Sequence, residues 1–231
     1  MRIEIIDVSG ETKAEQYGEV YAGLLYKNEY QRGDYIHIEV EQINSYYSIQ
    51  LDEVMGEACV FFTEKEYCYE IPFGEKKKPV SPNAFVRDTH YLYVRRLEHY
   101  EVEGYYNLCQ NPYDDHENYG CFPHASANVE TRGESVFAAR NAIDGILENH
   151  SHGIWPYSSW GINRNPEAEM RIDFGRPVQT NRVEIWLRAD FPHDSWWTSL
   201  DLEFSDGSEC TVPLKKTDQG QEFIYGWKTI E

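Results

Sequence analysis

Two stretches of this 231-residue chain concentrate side chains that could grip a ligand. The first, Trp186-Leu187-Arg188-Ala189-Asp190-Phe191-Pro192-His193-Asp194-Ser195-Trp196-Trp197, mixes indoles with an arginine, acids and a histidine. The second, residues 148–164, holds His150, His152, Trp155, Trp160, Asn163 and Arg164. Sugars present an apolar face of C–H groups and a ring of hydroxyls, so a site for them needs an aromatic platform with fixed donors and acceptors. Arg188, Asp190, His193, Trp196 and Trp197, together with His152, Trp160 and Arg164, supply that combination. The competing role is packing, because large aromatics are more often core than platform. His150, His152 and His193 are also transition-metal ligand types, but no third ligand stands at a recognisable spacing. Asp114, Asp115, His116 and Glu117 match no cation-binding geometry either, and read as a solvated acidic loop. There is no Gly-x-Ser-x-Gly elbow, no His-Glu-x-x-His helix and no phosphate-cradling glycine loop, so the expectation is a protein that binds rather than catalyses.

The totals narrow the partners. A formal net charge of −19 repels phosphate backbones and anionic membrane surfaces, which disfavours nucleic acid and lipid. With 41% hydrophobic and 15% aromatic residues the chain can build real cores. Met1-Arg2-Ile3-Glu4 opens no apolar signal region, and no run approaches the roughly 18 apolar residues of a membrane helix, so the expected location is cytoplasmic. Five cysteines without a Cys-x-x-Cys agree with buried free thiols, although Cys109 and Cys121 could pair in an oxidising compartment.

The elements that must position these residues are strands. All six tryptophans lie at or after Trp155, whereas most tyrosines lie before residue 101, so aromatic usage divides the chain. Ile36, Ile38 and Val40 alternate with His37, Glu39 and Glu41, the period of a half-buried strand. Residues 2–8, 46–51, 59–63, 67–73 and 90–95 are further strands, with turns at Arg32-Gly33-Asp34, Phe73-Gly74-Glu75 and Ser81-Pro82-Asn83. This predicts a small antiparallel sandwich over residues 1–104, of unassigned role, and a linker over 105–120. Later come a short helix through residues 135–145, ended by Gly145 in a left-handed cap, and strands at 169–174, 182–188 and 200–204. In the second of these Val183, Ile185 and Leu187 face one way, and Trp186 and Arg188 the other.

The succession Ala125-Ser126-Ala127, Asn141-Ala142-Ile143-Asp144-Gly145, a loop tryptophan, Arg171-Ile172-Asp173-Phe174-Gly175, residues 183–188 and Phe204-Ser205-Asp206-Gly207 resembles the discoidin, or coagulation-factor type C, domain and its galactose-binding-like relatives. The resemblance covers residues 121–231. It implies that the second domain is a discoidin-like jelly roll that either lacks its last strand or closes differently, so that with the first sandwich the whole chain is expected to be all-β, with two β-sandwich domains. It further implies a non-catalytic carbohydrate-binding protein whose partner is a galactose-like sugar or glycan, with Arg188 at the family's hydroxyl-binding position. Trp155 or Trp160 would fill the family's loop-tryptophan core position. A structural calcium ion would sit at Asp144, with Arg140 or Asn141 adding carbonyl oxygens; otherwise Asp144 only caps its turn. The alternatives are a scaffold that grips a protein through the same loops, or an accessory part of a glycan-processing enzyme.

Overall fold

The computed structural model describes residues 1–149, 152–189 and 195–231. The chain divides into two compact units. The first comprises residues 1–146 and 159–175, and the second residues 147–158 and 176–231. Fifteen strands account for nearly all regular structure among the described residues; the one α-helix is His99–Val102. No described helix is long and apolar enough to cross a membrane.

The first unit is a sandwich of two antiparallel sheets. One sheet orders its strands β2-β1-β4-β7: β1 (Arg2–Ile6), β2 (Thr12–Tyr17), β4 (Tyr35–Glu39) and β7 (Glu66–Glu70). The other orders β3-β8-β5-β6-β9: β3 (Tyr21–Tyr26), β5 (Ser45–Gln50), β6 (Ala58–Phe62), β8 (His90–Arg96) and β9 (Cys121–Phe122). Period-2 alternation aims an apolar row from most of these strands into the gap. Ile3, Ile5, Ile36 and Ile38 come from the first sheet, and Tyr47, Ile49, Val60, Phe62, Leu92 and Val94 from the second. The register places Ile3 opposite Ile38 and Ile5 opposite Ile36, so the pairs meet on one face. Aromatic edges lock the interior: the Tyr47 and Phe62 rings lie 5.3 Å apart and steeply inclined, and Tyr69 and Tyr113 meet at 90°.

Within residues 105–120, expected as a solvated linker, the segment 111–114 is buried against this core instead. Asn111 and Tyr113 are fully buried and Asp114 nearly so. The Tyr113 hydroxyl donates to the Gly56 carbonyl, and its own carbonyl accepts from the Tyr67 hydroxyl at 2.6 Å. Asp114 accepts from His124 Nδ1 at 2.8 Å and from the Ala125 N–H at 2.9 Å. An acidic, turn-rich stretch is thus drawn inside because each buried polar group finds a partner.

The same unit continues through β10 (His124–Ala127), which pairs with β11 (Met170–Asp173). Between them the expected helix is a run of 3₁₀ turns, Ser135–Phe137 and Ala139–Ala142. Ala125, Ala139 and Ile143 form a small second core there. Gly145 ends the run at φ +81°, a left-handed conformation that favours glycine.

Among its described residues the second unit holds two separate antiparallel pairs. β12 (Val178–Ile185) pairs with the last strand, β15 (Gln221–Ile230), and β13 (Ser199–Glu203) pairs with β14 (Glu209–Pro213). The pairs are stapled where the Phe204 and Tyr225 rings lie 4.8 Å apart and Lys228 Nζ donates to Ser208 Oγ at 2.6 Å. No disulfide joins the five cysteines, and Cys59 and Cys68 are exposed.

Candidate functional site

Strand alternation places Arg188 on β12, pointing outward; the structure differs. The β12–β15 ladder ends where Ile185 pairs with Gln221, so Trp186, Leu187 and Arg188 run past the last hydrogen-bonded pair. Freed from the pleat, Arg188 is half-buried rather than open. Its guanidinium carbon sits 5.4 Å from the centre of the Tyr157 ring, within cation–π range. Its Nη2 lies 3.5 Å from His152 Nδ1, a long contact in which the imidazole nitrogen must offer its lone pair.

Within the same unit, Glu148, Asn149, Trp155 and Pro156 line an open surface pocket of about 520 Å³. That is within the usual range for small-ligand sites. The lining brings Trp155 together with a carboxylate and a carboxamide, groups that can accept from and donate to hydroxyls. Trp196 is 40% exposed, with Lys216 Nζ 5.2 Å from its ring centre, and Trp197 is half-buried.

The other sequence-derived site residues scatter. Trp160 and Arg164 belong to the first unit. Trp160 packs on the small core of Ala125, Ala139 and Ile143, and its Nε1 donates to the Val129 carbonyl at 2.9 Å, so it serves as structure. Arg164 is exposed in a turn at φ +58°. Asp190 and His193 lie outside the described residues, as does His150. Of the expected set, then, Arg188 and His152 are brought within reach of each other. Sequence reasoning missed Glu148, Asn149 and Tyr157. The available signal was their place in the loop that carries Trp155 and His152.

The residues expected to hold calcium divide in the same way. Asp144 Oδ1 accepts the Ile146 N–H at 2.8 Å, the turn-capping role. Burial pushes its carboxyl up to about 7, against the opposing effects of that hydrogen bond and of the Arg140 charge. The Arg140 carbonyl already accepts from Ile143 at 3.1 Å, while its guanidinium donates to the carbonyls of Asp114 and Pro112, both at 2.6 Å. The Arg140 guanidinium therefore ties down the buried 112–114 segment, while its carbonyl already holds one hydrogen bond within the turn. Asn141 donates to the Ser135 carbonyl at 2.8 Å, but its Oδ1 is buried with no hydrogen-bond partner among the described residues. That oxygen and the Asp144 carboxylate are donors of the kind a hard cation takes.

No family model, curated protein or solved structure matches this chain.

Proposed function

We propose that the protein is a non-catalytic carbohydrate-binding protein whose site lies in the second unit, on the loop of residues 148–158 and at Arg188. The carrying observation is the open pocket of about 520 Å³ lined by Trp155, Pro156, Glu148 and Asn149. The Arg188–Tyr157–His152 contacts lie on the same loop and the strand end beside it. An indole wall suits the C–H face of a pyranose, and the carboxylate and carboxamide suit its hydroxyls. The discoidin-like order of segments supports the same reading, with a galactose-like sugar or glycan as partner. Calcium, where bound, would be held by Asp144 and Asn141 and would order the turn at Gly145.

A protein-binding scaffold is the second reading. It draws on the exposure of Trp186 (36%) and Trp196 (40%), since tryptophan is enriched at binding hot spots. A glycan array probed with the wild-type chain and with Trp155→Ala separates the two. The sugar reading expects selective signals that Trp155→Ala abolishes. A blank array, with a protein captured through these same residues, would favour the scaffold.

A further inference from the structure

Away from these loops, in the first unit, Asp52 and Glu53 follow β5 and His90 opens β8. Their ligand atoms, one imidazole nitrogen and one oxygen from each carboxylate, all lie within 4.8 Å of one another. Asp52 is 2% exposed and His90 is 1%, whereas Glu53 is exposed. We propose that Asp52, Glu53 and His90 form a zinc site, completed by a water, that staples the segment after β5 to the start of β8.

The donor set is one that zinc accepts, an imidazole nitrogen with carboxylate oxygens and an open fourth position. Closing on the ion at about 2.0–2.2 Å requires the ligands to draw together. Glu53 can do so because its side chain is at the surface.

Four further features favour a cation there. His90 Nε2 lies 3.1 Å from the Arg87 carbonyl; donating its proton there leaves the lone pair on Nδ1. Metal-binding imidazoles are commonly oriented by such a carbonyl. The Tyr30 ring, 4.2 Å from that of His90, helps hold the imidazole. Asp52 accepts backbone N–H bonds from Val54 at 2.8 Å and Phe85 at 2.7 Å, which orient the carboxylate and leave lone pairs over. Finally, the Tyr30 hydroxyl is buried with no hydrogen-bond partner among the described residues, and the charges of Asp52 and Glu53 both bear on it. A zinc-bound water would give that hydroxyl its partner. Lys77 also feels Asp52, but its ammonium donates to the Ala84 carbonyl, and one lysine against two carboxylates leaves net negative charge.

The test is titration of the full chain with zinc chloride, by calorimetry and by thermal melting. Glu53→Gln is the informative variant because the side chain is exposed, and glutamine retains an oxygen to accept the Tyr91 N–H. The expected result is saturable binding with a rise in Tm for the wild type. Glu53→Gln should melt unchanged without zinc and bind zinc at least tenfold more weakly. Cobalt(II) bound to the wild type should show visible absorption bands of a low-symmetry site, lost in the same variant. Absence of a zinc-dependent Tm rise would overturn the proposal. So would zinc affinity that Glu53→Gln leaves intact, since the ion would then sit on other ligands such as the loop histidines.

Discussion

Asp114 has a fully buried side chain, and a carboxylate in that position is tolerated only with its lone pairs occupied. His124 and the Ala125 N–H occupy them. The hydrogen bond from His124 to Asp114 raises the His124 pKa above its ordinary value, against the opposing effect of burial. A histidine whose folded pKa is raised adds stability that is fully present below the unfolded pKa of about 6.5 and is lost as pH climbs through the raised value. The expected outcome is that His124→Gln costs more stability at pH 5.5 than at pH 9, measured by urea unfolding at both. An equal cost at the two values would mean that the imidazole acts only by packing. Arg188 carries the second residue-scale prediction. A hydrogen bond from a charged group contributes about 1.5–3 kcal/mol, so Arg188→Ala should weaken glycan binding about tenfold or more. Its cation–π contact with Tyr157, about 0.5–1 kcal/mol near the surface, sets the scale of the accompanying stability loss. Large destabilisation with unchanged glycan affinity would make Arg188 structural.

At the scale of elements, register and turns decide where side chains arrive. β11 ends at Asp173, and the chain turns away at Gly175 with φ +65°. A β-carbon there would run into the Phe122 ring, which follows β6's partner Cys121 in β9. Two penalties therefore add, left-handed strain and collision with a ring. Gly175→Ala is expected to lower stability by about 1–3 kcal/mol, read from the denaturant midpoint. A neutral result would mean that the Phe122 ring can move aside. The same logic explains Arg188: the ladder ends at Ile185, so strand alternation no longer governs where its side chain goes.

For the whole molecule, the first unit's sandwich core is the larger, joining both sheets through fully buried side chains such as Ile3, Ile5, Ile36 and Ile38. The buried apolar side chains of the second unit are Val178, Val212 and Leu214 among its described residues. Ile38→Ala should cost about 2–5 kcal/mol, the transfer term plus the cavity left behind. Five of the six tryptophans belong to the second unit, so tryptophan fluorescence reports mainly on it, and far-ultraviolet dichroism on both. The Ile38→Ala shift should therefore appear in dichroism. A shift confined to tryptophan fluorescence would contradict the assignment of Ile38 to the first core.

The all-β class was readable from the sequence because alternation is a local property. Ile36, Ile38 and Val40 announce a half-buried strand whatever it pairs with, and β1, β5, β6, β7 and β8 emerge within a few residues of their expected bounds. β2 was invisible since Thr12-Lys13-Ala14-Glu15-Gln16-Tyr17 has no apolar row; pairing with β1 makes it a strand. The left-handed Gly145 was legible for the same local reason. What only tertiary structure decided was where polar residues go. Asn111, Tyr113 and Asp114 look like linker, yet they are buried because partners distant in sequence satisfy them. Trp160 looks as available as Trp155, yet one packs on a core and the other lines an open pocket. Asp52, Glu53 and His90 share no motif, since a turn and a sheet edge, not spacing along the chain, bring their donor atoms together. Residue type states what chemistry a side chain can do, and long-range pairing determines which side chains meet to do it.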